Sequence, residues 1–394
     1  MLKRKYKSDR SISKTEVRCL AGALSLREAR PNAIQVSVLA ALFFLFFMAW
    51  VSPAHAAQSS AARTVRVSED VYVSKASAAF ESARRRDWAF PQDLPLTRAQ
   101  CEAKMQKAVC STVASADEIS ADWDQLTCGE DSKSFVADVM ALYDEMPERM
   151  RPSLCTLEKI FISDGIQSTA FASPIENSAG KVIGGFIGIR KSTFINQPDS
   201  VTLMSWKEQL PFGGSKQFLQ VNPNLVHLSY GVKLEHLPHD GLFYVISHEL
   251  GHLIDFDNGI NSSYRGGTPA VSWQSLSWRT VWSPIPALMY KDQENFCYYN
   301  CDSFLQPSTA LSIYQSLAQS AFITTYSGTS ALEDFAEYWA WYQLLNFKSA
   351  QFVIDVPGQG QVDMTAAAKA NQQIQRKLNF VEQIWNDPSL KIAH

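Results

Sequence analysis

DGLFYVISHELGHLIDF, residues 240–256, is apolar on almost every side: Leu242, Phe243, Val245, Ile246, Leu250 and Leu253 leave no continuous polar stripe. A helix with that distribution belongs in an interior. Asp240 at its start and Gly259 just beyond its end are residue types that cap helices, so one helix is expected from Asp240 to about Phe256. Within it, His248, Glu249 and His252 spell H-E-x-x-H. Residues four apart stand one above the other on a helix, so both imidazoles can face one cation while Glu249 points at the remaining coordination space. Zinc bound there polarises a carbonyl and acidifies its water, and a carboxylate beside that water takes the proton. Packing alone gives a buried helix no reason to hold His, Glu and His together.

Two histidines leave the site short of a ligand. Downstream of His252 the sole histidine is His394, and Asp255 and Asn258 occupy the Gly and His positions of the H-E-x-x-H-x-x-G-x-x-H pattern, which excludes it. A carboxylate is therefore expected. The downstream glutamates are Glu294, Glu333, Glu337 and Glu382, and Glu333 and Glu337 lie four apart in SALEDFAEYWAWYQLLNF, a second helix that reads as buried. Acids in such a helix are unfavourable unless paired or metal-bound. Glu333 is assigned as the third ligand, and Glu337 as the acceptor that orients the free ring N–H of a ligating histidine.

Upstream, FVADVMALYDEMPERM places Phe135, Val136, Val139, Met140 and Tyr143 at helical spacing, a helix expected over residues 134–150 that stops near Pro152. Strand-like runs follow at Lys159–Ser163, Thr169–Ile175 and Lys181–Ile189. Gly184 and Gly185 in the last run mark a bulge or a close approach by substrate backbone. Residues 205–240 read as irregular, 260–325 as a long insertion with Trp273, Trp278 and Trp282, and 366–385 as a final helix. Residues 57–133 read as a small N-terminal cap ahead of a domain spanning 134–394. The fold class is α+β.

The chain begins with nine Lys or Arg against three acids in residues 1–30, then an apolar run, VSVLAALFFLFFMAWV, then Ala54-His55-Ala56. That order reads as a signal peptide cut after Ala56, giving an exported protein, periplasmic or secreted. Left uncut, the run is close to the length of a membrane anchor, and only then is a membrane a partner. Without residues 1–56 the chain has 27 Lys and Arg against 36 Asp and Glu, a charge near −9. That sign disfavours nucleic acid. Cys101, Cys110, Cys128, Cys155, Cys297 and Cys301 form an even set, consistent with up to three disulfides; proximity favours Cys297 with Cys301 and a grouping of the other four. With no C-x2-C pair, a zinc ribbon is set aside.

HELGH followed by the E-D-F-A-E helix, with Tyr326 seven residues before Glu333, resembles the gluzincin peptidases of the anthrax lethal factor and Pro-Pro endopeptidase type. The resemblance covers about residues 134–347. It implies a zincin-like fold in which a backing helix and a small sheet precede the H-E-x-x-H helix; the chain's own pattern adds a mostly helical C-terminal lobe. It also implies His248, His252 and Glu333 as ligands of Zn2+, Glu249 as general base, Tyr326 as hydrogen-bond donor to the tetrahedral oxyanion, and a peptide or protein substrate. The stretch between His252 and Glu333 is longer than such peptidases commonly carry, so cleavage preference is not carried over.

Other residues have plainer readings. Asp255 and Asp257 are expected as a solvated pair at a helix end, with support of a ligand as the rival role. Trp273, Trp278 and Trp282 are expected to pack the insertion rather than form a binding platform. His227, His236 and His239 are expected in loops or at the surface rather than lining a cleft. Two rival functions stay open, an exported metal-binding protein without turnover and a hydrolase of cell-wall amides.

Overall fold

A computed structural model describes residues 97–176, 182–230, 239–261, 272–299 and 301–387. The leader, the cleavage site, residues 57–96 and His236 lie outside them. Thr97 opens the first helix with a capping box: its hydroxyl accepts from Gln100 N–H, and the Gln100 side chain accepts from Thr97 N–H, starting α1 (Arg98–Ala108). β1 (Val109–Thr112) follows, and Ser115 and Glu118 repeat the device ahead of α2 (Ala116–Asp122). The expected amphipathic helix is α3 (Ser132–Glu145), burying Phe135, Val136, Val139, Met140 and Tyr143. It ends before Pro147 rather than near Pro152. Pro152 instead sits in the first turn of α4 (Arg151–Thr156), where the proline's missing N–H has no intrahelical partner to lose.

β2 (Lys159–Ser163), β3 (Ala170–Glu176) and β4 (Val182–Arg190) complete a sheet of order β1-β2-β4-β3. β1, β2 and β4 are parallel; β3 runs antiparallel to β4 and forms one edge. Residues 98–112 therefore supply a helix and, through β1, a strand to the same sheet as β2, β3 and β4. Two disulfides hold this part in place, Cys101–Cys155 joining α1 to α4 and Cys110–Cys128 joining β1 to the segment after α2. The third is Cys297–Cys301. All three pairings fit an oxidising environment. Among the described residues no helix is long and apolar enough to cross a membrane.

The stretch expected to be irregular contains structure. After α5 (Lys191–Asn196), Asp199 caps α6 (Ser200–Gln209), and β5 (His227–Tyr230) precedes α7 (Asp240–Asn258). α6 mixes buried Leu203, Met204 and Trp206 with buried Glu208 and Gln209, so it carries no amphipathic stripe for a sequence to reveal. α7 is the expected interior helix, with every residue from Asp240 to Phe256 buried. Its first residue does not cap it. The Asp240 carboxylate accepts from the Ser200 N–H and hydroxyl at 3.0 and 2.9 Å, pinning the starts of α6 and α7 together. Gly259 closes the far end in the left-handed conformation. α7 packs on β3 and β4, and a Cβ on Gly185 would stand 2.7 Å from Leu253 Cδ2. The close approach at Gly185 is made by the helix, not by substrate; a register shift does lie beside it, between Ile175 and Glu176 opposite Gly184.

Beyond the insertion's α8 (Trp273–Ser277), the short β6 (Trp278–Thr280) and β7 (Ser283–Pro284) pair, and α9 (Ala310–Leu317), comes α10 (Ala331–Phe347). The C-terminal part, though mostly helical, also holds strands. β8 (Phe352–Val356) and β9 (Gly360–Asp363) form a second sheet of order β5-β8-β9, in which β5, from ahead of α7, pairs antiparallel with β8, from behind α10. The expected final helix is two, α11 (Met364–Ala370) and α12 (Gln372–Asn386), broken at Asn371. The Asn371 side-chain amide donates to Ala318 and Ser320 carbonyls while its oxygen accepts from Gln373 N–H. The architecture is α+β.

Candidate metal centre

α7 and α10 cross closely where Gly251 meets Ala336; a Cβ on Gly251 would stand 3.0 Å from Ala336 Cα. This closeness lets a carboxylate from the first turn of α10 reach the histidines of α7. Ser330 caps α10 by accepting from Glu333 N–H at 3.2 Å. An S-x-x-E run often completes a capping box, but here the Glu333 side chain turns away to the histidines. Its Oε2 lies 3.0 Å from His248 Nε2 and 3.4 Å from His252 Nε2. One donor atom from each of His248, His252 and Glu333 lies within 4.8 Å of the others, a group that can hold a metal ion. The histidines are buried and Glu333 is half-buried. Glu294 and Glu382, the other candidates by elimination, are exposed and outside the group.

Electrostatics follow from that packing. Burial disfavours the charge on His248, but Glu333 and Glu337 outweigh it and push the imidazole up to about 9. Burial likewise opposes charge on Glu333, yet His252 and His248 hold its carboxyl well below the usual range. A cation held by these three donors would have to displace the ring protons that this pairing retains.

Behind His248 stands Glu337, with Oε1 3.0 Å from Nδ1, an ion-pair distance rather than an aligned hydrogen bond. The Tyr244 hydroxyl donates to Oε1 at 2.6 Å, Lys207 Nζ lies 3.5 Å from the same oxygen, and the Thr324 hydroxyl donates to Oε2 at 2.7 Å. Despite burial, Lys207 and His248 lower Glu337 to about 2. This carboxylate is charged and held by three side chains, at ion-pair distance from the ring of His248.

Glu249 is 5% exposed, and its Oε2 has no hydrogen-bond partner among the described residues. Burial raises its pKa. A buried unpaired carboxylate oxygen beside such a group is the arrangement an incoming water or cation would satisfy, and two imidazoles with a carboxylate are a donor set that divalent transition metals, zinc among them, accept. Tyr326 heads a short 3-10 turn, Tyr326–Gly328, with its ring centroid 6.2 Å from that of His248. Burial pushes its phenol well above 10, so it stays a donor. The Lys207 ammonium lies 3.3 Å from the Tyr326 ring centroid.

His248, Glu249, His252, Tyr326 and Glu333 line one cleft of about 220 Å3. One wall is the edge strand β3, through Ala170, Phe171 and Ala172, and the rim includes Trp282 and Tyr299, 46% and 44% exposed. The other tryptophans pack: Trp273 and Trp278 donate their indole N–H to Asp334 at 3.1 and 2.8 Å. His227 pairs with Asp355 and His239 with Glu145, and neither lines the cleft. Asp257 is half-buried, but Asp255 is not solvated. It is 1% exposed and accepts from the Asn261 N–H and side-chain amide at 2.6 and 2.7 Å, which ties down the chain leaving α7. Sequence reasoning missed Lys207, Glu208, Tyr244 and Tyr298. Tyr244 alone carried a signal, lying one helical turn before His248.

Comparison with family models, with curated proteins and with solved structures returns no match.

Proposed function

We propose that this chain is an exported zinc-dependent endopeptidase of the gluzincin type, with His248, His252 and Glu333 holding the ion. The single observation that carries the reading is a convergent His-His-Glu donor set with the unpaired buried carboxylate of Glu249 beside it, at the floor of an open cleft. Zinc bound there supplies a Lewis acid that polarises a carbonyl and lowers the pKa of water. The protein's residues do the rest. An extended peptide pairs with the free edge of β3, which offers backbone donors and acceptors along the cleft. The Glu249 carboxylate takes a proton from the attacking water and returns it to the leaving amine. The Tyr326 phenol donates to the oxyanion as charge develops. Glu337 keeps His248 in one tautomer and orientation. The export component rests on the basic, apolar and A-x-A leader together with the three disulfides. A zincin-like arrangement is the fold this reading requires of β3, α7 and α10.

The test incubates zinc-loaded protein, residues 57–394, with a diverse peptide library and identifies products by mass spectrometry. Wild type is expected to cleave and Glu249→Gln to bind zinc without cleaving. Turnover by Glu249→Gln comparable to wild type would sink the assignment.

A further inference from the structure

Tyr326 lies outside both metal-bearing helices, so something else must hold its ring. Tyr298 meets it edge to face, with centroids 4.9 Å apart and planes at 87°. Tyr298 is buried, and its hydroxyl shares a 2.5 Å hydrogen bond with Oγ1 of Thr325, the residue before Tyr326. The Thr325 hydroxyl donates onward to Glu208 Oε2 at 2.6 Å, which fixes the proton direction: Tyr298 donates to Thr325, and Thr325 to Glu208. The Tyr314 hydroxyl donates to the same carboxylate oxygen at 2.7 Å, and the Tyr290 hydroxyl to the Thr325 carbonyl at 2.8 Å. Glu208 neighbours Lys207 on α6, whose ammonium lies over the Tyr326 ring. A directed chain of hydrogen bonds thus anchors the residue beside Tyr326, and ring contact anchors Tyr326 itself.

Tyr298 reaches this place on the short loop closed by the Cys297–Cys301 disulfide. Its neighbour Tyr299 lines the cleft. The loop therefore props the phenol from beneath and walls the cleft from the side. Packing of the insertion alone does not require Tyr298 to meet the Tyr326 ring edge to face while its neighbour Tyr299 lines the same cleft.

We propose that Tyr298, presented by the Cys297–Cys301 loop, is a positioning residue for Tyr326, holding its phenol toward the metal centre. The kinetic consequence rests on the peptidase reading above; the structural consequence does not. A rigidly held donor needs no reorganisation as charge develops, so loosening it lowers kcat and leaves substrate binding alone.

The experiment is a double-mutant cycle on zinc-loaded protein, with 3-fluorotyrosine at position 326 as a second readout. Tyr326→Phe is expected to lower kcat by about 10²–10³. Tyr298→Ala should lower kcat by about 10–100-fold with KM and bound zinc unchanged, yet cost less than about twofold in the Tyr326→Phe background, because the two act as one unit. Tyr298→Phe keeps the ring and should restore most of the loss, and the Cys297→Ser, Cys301→Ser double variant should follow Tyr298→Ala. An equal loss in both backgrounds overturns the proposal. The fluorine signal is expected to be single and narrow in wild type and shifted or broadened in Tyr298→Ala and in the double serine variant. An unchanged signal overturns the proposal whether or not peptides are cleaved. Wild type that cleaves nothing, with a signal that still responds to Tyr298→Ala, removes the peptidase reading and supports the positioning.

Discussion

Glu337 takes hydrogen bonds from Tyr244 and Thr324 and sits within 3.5 Å of Lys207, leaving it no freedom to follow His248 if the ring rotates. Its charge is what makes it a strong partner for the ring nitrogen. Glu337→Gln keeps the shape and removes the charge, so metal affinity should weaken by about 10–100-fold, read by competition with a chromogenic chelator. An unchanged affinity would mean that the ring is oriented by packing alone. Asp255 offers a pH test. Burial raises it to about 6, so the folded protein keeps this proton through a window, from about 4 to about 6, in which the unfolded chain has lost it. Bound protons then favour the fold at the acid end, and this group's contribution to stability falls as pH rises through the window. Metal-free wild type should lose stability relative to Asp255→Asn between those pH values, measured as the difference in urea midpoints. Parallel profiles would refute a buried, proton-retaining Asp255.

At the scale of elements, the crossing of α7 and α10 depends on the absence of a side chain at Gly251. Glycine inside a helix ordinarily costs about 1 kcal/mol relative to alanine, so its presence in the middle of α7 needs a reason. A Cβ at Gly251 would stand only 3.0 Å from Ala336 Cα and 3.2 Å from Trp339 Cβ, which supplies it. Gly251→Val should destabilise by about 1–3 kcal/mol through overpacking, and should weaken metal binding because Glu333 lies one turn from the displaced contact. Retention of wild-type affinity would show that the crossing does not position the ligand. The same elements show what a sequence discloses. α7 was legible because it is apolar all round and carries His248 and His252 at one-turn spacing, and Glu333 because only four glutamates lie downstream and two of them share one face of a buried helix. α6, β5 and β8 were not: α6 buries Glu208 and Gln209 against tertiary partners, and β5 exists only by pairing with a strand more than a hundred residues away. Lys207 and Tyr298 left no trace either, since their roles come from packing on Tyr326 and not from spacing along the chain.

At the scale of the molecule, the largest apolar core of the described residues reaches from Cys101 to Trp385, with two smaller clusters beside it, and a buried ion pair sits against its aromatic rings. Lys377 of α12 contacts Asp334 of α10 at 2.5 Å, with side chains 1% and 0% exposed. Asp334 also accepts from both indoles, so Lys377→Met leaves a buried carboxylate with neutral donors only. That variant should lose about 3–5 kcal/mol in chemical denaturation. A loss under about 1 kcal/mol would mean that Asp334 takes up a proton and needs no cation. The pairing of β5 with β8 bears on the order in which the protein can become competent. Strands separated by that much chain meet late, since a long loop must close before their contacts repay the lost entropy. A chain still emerging from a ribosome offers His248 and His252 to solution before Glu333 exists to complete the group. The three-donor group able to hold a metal ion is therefore complete only once the chain has been made through Glu333 and α10 has crossed α7.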